Sequence, residues 1–208
     1  MEKIIGIVGY ECEDIGLYLA KILYGLGQKV ALVDRTEQEM LLEMLEVPKQ
    51  QDGLERKTEV LGILVTNQNV CLKEFDRIIY LFGYRLLHPK LYQCETLLMI
   101  ADGIPAHVCL FGMIDSWNRR KFLILRNLIP MKHTGKYLAE LADCKSTYCE
   151  IPYEEKDIRM RGSLSALNYG NLKLLSGGMK HALHQTINFV FPETNEKEIW
   201  NLIQNDGR

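Results

Sequence analysis

The sequence predicts an α/β domain: a doubly wound, mostly parallel sheet with helices on both faces. Short β-branched runs alternate with amphipathic stretches along all 208 residues. Several of those runs are apolar at successive positions, as strands are when a parallel sheet is covered on both faces. The first run, Lys3–Val8, leads through a glycine turn directly into a helical pattern, which is how a βαβ unit begins.

The remaining elements follow in order. Ile15, Leu19, Ile22, Leu23 and Leu26 keep helical spacing over Asp14–Leu26, and Gly27 is a suitable terminator. Lys29–Val33 is the second strand. Thr36–Leu45 is the next helix, closed by Pro48, and Lys49–Lys57 is the most loop-like stretch. Val60–Val65, Arg77–Phe82, Thr96–Ala101, Lys121–Leu125 and Thr147–Ile151 are the later strands. Pro105–Trp117 is a helix with proline near its start, where it costs no hydrogen bond. Gly135–Ala142 and Gly178–Val190 complete the helices. One domain over residues 1–208 is expected, with a short helical tail at about 193–204.

Composition narrows the function. Hydrophobic residues make up 47% and charged residues 25%, so neither disorder nor a polycationic tail is expected. No run reaches the ~20 apolar residues of a membrane span, and the N-terminus lacks the regions of a signal peptide. A cytoplasmic protein is therefore expected. The six cysteines are scattered, which suits reduced thiols better than a disulfide framework. His181 and His184 lie three apart on a predicted helix without a third ligand, so no metal site is assigned.

In such a fold the first strand–helix turn is the usual phosphate site. Here it reads Gly9-Tyr10-Glu11-Cys12-Glu13-Asp14-Ile15. It lacks the spacing of GxGxxG, and no Lys-Ser/Thr pair opens the helix. Cys12 would gain acidity at a helix N-terminus, but the flanking Glu11 and Glu13 oppose that.

Several segments, in order and spacing, resemble those of ParA/MinD-type ATPases. Gly25-Leu26-Gly27-Gln28-Lys29-Val30-Ala31-Leu32-Val33-Asp34 resembles the "LGxKVLLID" segment that follows the deviant Walker A helix. Phe75–Ile79 is similar to the "YDYVIID" strand, Leu97–Asp102 to "aDevllV", Leu123–Asn127 to "LVxN" and Glu150–Glu154 to the "xIPyd" turn. The resemblance implies a P-loop fold with the KGGxGK[ST][ST] loop over Val8 to Ile15. It also implies that Asp34, Asn127 and Pro152 would be neighbours of a residual nucleotide site.

The departures fall on the residues that catalysis uses. The P-loop lysine position is Glu13, the magnesium hydroxyls fall at Asp14 and Ile15, and the Walker B aspartate position is Leu81. A charge pair at 4 Å is worth ~4 kcal/mol at an effective dielectric near 20. A helix dipole returns only about 0.3–1 kcal/mol to an anion. Exchanging lysine for glutamate therefore outweighs the dipole, and no hydrolysis is expected. A carboxylate of Glu13 or Asp14 is expected to take the first-turn amides instead.

The resulting expectation is a catalytically inactive scaffold with no cofactor and a protein partner. That partner could be a catalytically complete relative whose lysines face Glu11, Glu13 and Asp14, since two such acidic faces would repel. The resemblance points to positioning or assembly of a bacterial machine, with pilus or secretion systems first. The competing class is a divergent nucleotide-binding ATPase or switch, using ATP and magnesium through Lys3, Lys21 or Lys29. A dinucleotide enzyme would rest on Asp34 alone. Trp117-Asn118-Arg119-Arg120-Lys121 is too narrow a basic cluster for nucleic-acid binding. Glu154–Arg161 reads as a solvated mixed-charge run. The tail carries Glu193, Glu196 and Glu198 against one lysine, so it suits docking on its own domain rather than membrane insertion.

Overall fold

The computed structural model describes residues 3–49, 55–114, 119–129, 134–165 and 170–206. The elements in chain order begin with β1 (Ile4–Gly9), α1 (Glu13–Gly25), β2 (Val30–Asp34), α2 (Met40–Met44), β3 (Lys57–Val60), β4 (Ile63–Thr66) and β5 (Arg77–Gly83). They continue with β6 (Thr96–Ala101), α3 (Pro105–Cys109), β7 (Arg120–Leu128), α4 (Thr134–Leu141), β8 (Tyr148–Pro152), α5 (Glu155–Gly162), α6 (Gly177–Val190) and α7 (Glu196–Gln204). The eight strands form one sheet in the order β3-β4-β2-β5-β1-β6-β7-β8. Every described pairing is parallel except β3 with β4.

The period of two along each strand sorts the core into two layers. Ile5, Ile7, Leu32, Ile79, Leu81, Ile100 and Ile124 pack with α1, α2, α6 and α7 on one face. Val8, Val33, Tyr80, Met99 and Leu125 pack with α3 and α4 on the other. The C-terminal helix α7 buries Ile199, Leu202 and Ile203, and its Trp200 ring stacks on His184 at 4.5 Å. The end of the chain is fastened by buried Lys21, whose Nζ donates to Asp206 at 2.7 Å and to the Gly170 carbonyl at 2.9 Å.

Four expectations are corrected. The single strand expected at Val60–Val65 is a hairpin, because Leu61 and Gly62 both take positive φ, at 52° and 81°. That is the two-residue geometry whose twist suits antiparallel strands. The helix expected over Thr36–Leu45 is only Met40–Met44, preceded by Glu39 at φ 52°. The helix expected over Pro105–Trp117 stops at Cys109 and tightens into a 3-10 turn, Leu110–Met113; residues 115–118 lie outside the described residues. The run read as solvated at Glu154–Arg161 contains α5, whose Asp157 is buried and accepts from the Ser176 amide at 2.7 Å.

Candidate functional site

Only Tyr10, Glu11 and Cys12 separate β1 from α1, so the phosphate turn is tight. Gly9 makes it so: at φ 104°, a Cβ there would lie 2.0 Å from the Ile100 carbonyl oxygen of β6. Tyr10 N–H then donates to that same carbonyl at 2.8 Å, and Glu11 turns the chain at φ 46°. Cys12 is buried, and burial foremost, then Glu13, holds its thiol well above the usual range. It is no thiolate at neutral pH.

The turn is filled by the chain's own charges. Along β7, Phe122 and Ile124 face α1, and the period of two carries Arg126 to the same face. Its guanidinium makes a two-point ion pair with Asp14, at 2.9 and 3.1 Å, and Nη1 also donates to the Glu11 carbonyl at 2.5 Å. Asp14 and Arg126 are 0% and 1% exposed. Burial opposes the charge on Arg126, but Asp14 and then Glu11 outweigh it, so the guanidinium stays protonated. From α5, Arg161 reaches Glu11 at 3.0 Å and Glu13 at 3.4 Å.

The first-turn amides are engaged as well. Ile15 N–H donates to Asp14 Oδ1 at 2.9 Å, and the Glu13 carboxyl is drawn down by its own backbone N–H, though burial outweighs this. Burial raises the Glu13 carboxyl above the ordinary value of 4.5, against the pull of Arg161. Leu81, at which the resemblance predicted the Walker B aspartate, is fully buried with a methyl against α1, 2.5 Å from where a Cβ on Gly16 would stand.

The other predicted positions separate. Asp34 is buried at the end of β2 and accepts from Thr36 Oγ1 at 2.7 Å, Thr36 N at 3.0 Å, Leu41 N at 2.8 Å and Leu42 N at 3.2 Å. It holds the start of α2. Pro152, at the end of β8, lies against Gly178 of α6. Asn127, at φ 56° in the irregular stretch of β7, lines a cavity of about 340 Å³ with Tyr10, Asp102 and Thr134. β1 leads toward β2 on one side and β6 toward β7 on the other, so this cavity opens at the topological switch point. Beside it, His107 Nδ1 meets Asp102 at 2.9 Å.

Two expectations about charge are corrected here. The acids of the turn do not present a self-repelling face, because Arg126 and Arg161 neutralise them from within the chain. A partner's lysines would find Asp14 enclosed and Glu13 nearly so. Nor do Lys3, Lys21 or Lys29 serve the turn: Lys21 is tied to Asp206, Lys29 sits over the Phe75 ring, and Lys3 and Lys29 precede the amino ends of β1 and β2. Two cations of the basic cluster are engaged by aromatic rings of this chain, Arg119 over Tyr92 and Arg120 over Phe189; Trp117 and Asn118 lie outside the described residues. Sequence reasoning missed Arg126 and Arg161. A buried-strand arginine at the end of "LILRN" was the available signal for the first.

A three-residue strand–helix turn at the middle of this parallel sheet defines a doubly wound α/β protein with P-loop architecture. The particular fold is the ParA/MinD type. A plasmid partition protein from Borrelia burgdorferi, bound to AMPPNP, superposes with a TM-score of 0.66 at 13% identity, covering 93% of this chain and 100% of that one. The MinC:MinD cell division complex from Aquifex aeolicus gives 0.65 at 13% identity, covering 93% and 97%. A cobyrinic acid a,c-diamide synthase from Mycobacterium smegmatis, with ADP and magnesium, gives 0.58 at 13%, also covering 93% and 97%. No family profile and no curated protein matches the sequence.

Against that fold, the residues of the turn do not fit a magnesium–triphosphate. Glu13 is nearly buried beside the turn, Leu81 is fully buried against Gly16 of α1, and Asp14 is locked to Arg126. No helix among the described residues is long and apolar enough to cross a membrane.

Proposed function

We propose that this chain is a ParA/MinD-like pseudo-ATPase: a scaffold that positions or assembles a bacterial machine through protein contacts, with pilus or secretion systems as the first candidates. The observation that carries the reading is the buried Arg126–Asp14 pair inside the turn. Removing one member of such a pair leaves an uncompensated charge at a cost of about 3–5 kcal/mol. A phosphate entering the turn would have to break it and meet Glu11 and Glu13 as well.

Partnering is supported by analogy of fold, since one similar structure is a MinC:MinD complex. The partner contacts this protein somewhere other than Asp14, which is enclosed. Two assays test the reading. Purified protein with ATP and magnesium should release no phosphate above a blank, and a tagged copy in its own cell should retrieve protein partners. Steady phosphate release that is lost when Asp14 or Asp34 is replaced would contradict it.

A second reading, a divergent nucleotide-binding ATPase or switch, is favoured by one observation: the cavity at the switch point, where Tyr10, Asp102 and Asn127 meet an otherwise largely apolar lining. Two of the similar structures carry AMPPNP or ADP and magnesium. On that reading nucleotide binding would require the Arg126–Asp14 pair to open.

A further inference from the structure

The loop that follows β5 adjoins the turn and carries a separate feature. Its sequence is Tyr84-Arg85-Leu86-Leu87-His88-Pro89-Lys90. Leu86 is buried and anchors the loop, whereas Leu87 is 63% exposed. Across from it, the 3-10 turn after α3 leaves Met113 55% exposed. Tyr84, Leu87, Leu110 and Met113 line a groove of about 490 Å³. The groove is held in shape by its own chain: Phe82 packs on the His88 ring at 5.2 Å, and Arg85 Nη1 donates to the Arg35 carbonyl at 3.1 Å. Such preorganisation lowers the ordering cost of binding.

The rim is cationic on the side of His88, while Tyr84 on the opposite side faces Asp102 and, more weakly, Glu11. Arg35, Arg85 and Lys90 surround His88, whose ring is kept neutral by burial first and then by these three charges. Their hydrogen-bond partners are neutral groups: Asn69 for Arg35, a carbonyl for Arg85, Gln93 for Lys90. Among the described residues none of the three is ion-paired. The chain as a whole has a net charge of −2, so this local excess does not follow from overall basicity.

We propose that this groove docks an acidic segment of a protein partner, with large apolar side chains seated on Leu87, Leu110 and Met113 and carboxylates meeting Arg35, Arg85 and Lys90. The charge complementarity selects an acidic partner. The concavity selects a peptide segment over a lipid surface, which favours apolar groups that project outward. The inference does not rest on the fate of nucleotide at the turn.

The test uses the full chain with a labelled peptide that alternates Glu with Leu and Phe, and its Lys-for-Glu counterpart. The acidic peptide should bind with a Kd on the order of 10–100 µM, weaken as salt screens the rim, and shift the Met113 methyl resonance. Arg85→Glu and Leu87→Ser, both at exposed positions, should each weaken binding about tenfold or more with the thermal midpoint unchanged. The Met113 shift in the unaltered protein reports on the groove even where a variant folds poorly. Absence of binding at millimolar peptide, equal binding of the basic peptide, or binding indifferent to both variants would overturn the proposal. Vesicles of mixed anionic and zwitterionic lipid should not bind; capture by vesicles that Leu87→Ser abolishes would overturn it in favour of a membrane.

Discussion

The turn after β1 and the loop after β5 leave neighbouring strands at the same edge of the sheet, yet they treat charge in opposite ways. At the turn, Glu11, Glu13 and Asp14 find Arg126 and Arg161 within the chain. At the loop, Arg85 and Lys90, with Arg35 from the end of β2 beside them, hydrogen-bond only to neutral groups. Enclosed, paired charge is part of the folded architecture, and removing one member is destabilising. Exposed, unpaired charge contributes little to the fold and remains available to a partner. The place where the fold usually meets its ligand is thus internally satisfied, and the unsatisfied surface lies one strand away.

The comparison can be broken most forcefully at Arg126. Arg126→Ala or Asp14→Ala should cost about 3–5 kcal/mol, read as a fall of roughly 10 °C in thermal midpoint for a chain of this length. The double replacement Asp14→Leu with Arg126→Met removes both charges and should recover most of the loss, since apolar substitutes of similar volume are often neutral. If the single variants melt with the unaltered protein, the pair does not hold the turn.

A smaller effect is expected at Glu13, and it runs against salt-bridge intuition. Its carboxyl is raised above 4.5 by burial, so the fold prefers its protonated form. That preference contributes stability below pH 4.5 and is lost as pH rises through the folded value. Glu13→Gln should therefore stabilise the protein modestly at neutral pH, with the gain vanishing in acid. Denaturant midpoints at neutral and acid pH check this.

His184 has the opposite sign. Burial lowers its ring below 6.5, against Glu196. The neutral ring stacked on Trp200 contributes stability that is complete above pH 6.5 and lost as pH falls through the folded value. Loosening of α7 should appear in Trp200 fluorescence between pH 7 and 5, and His184→Phe should remove that step. The smallest effect belongs to the groove: Arg85→Glu and Leu87→Ser should change stability by less than about 0.5 kcal/mol, measured by the same midpoints.

How much of this could be read from the sequence depends on distance along the chain. The parallel strands were legible because β-branched runs carry their own signal, and α1 because its apolar spacing is regular. The β3–β4 hairpin was hidden because Leu61-Gly62 interrupts one continuous apolar run without a polar turn residue. α5 was hidden because the residues around buried Asp157 are nearly all charged. At the site, the absence of lysine was local information and could be read directly. The guanidiniums that fill the turn come from residues 112 and 150 positions away from the acids they meet, and no linear pattern encodes such a meeting. Hence the acids looked unpaired and the face looked repulsive, when strand β7 and helix α5 supply the counter-charge. Asp34 has a role that no local pattern announced: its oxygens hold Thr36 and the first amides of α2.

The most direct measurement is calorimetry of the purified protein titrated with ATP and with ADP, each with magnesium, to millimolar concentration. The account predicts no heat of binding and no thermal stabilisation, because the turn is closed by the Arg126–Asp14 pair. Saturable binding with a micromolar Kd, reported by shifts at Glu13 and Asp14, would contradict it.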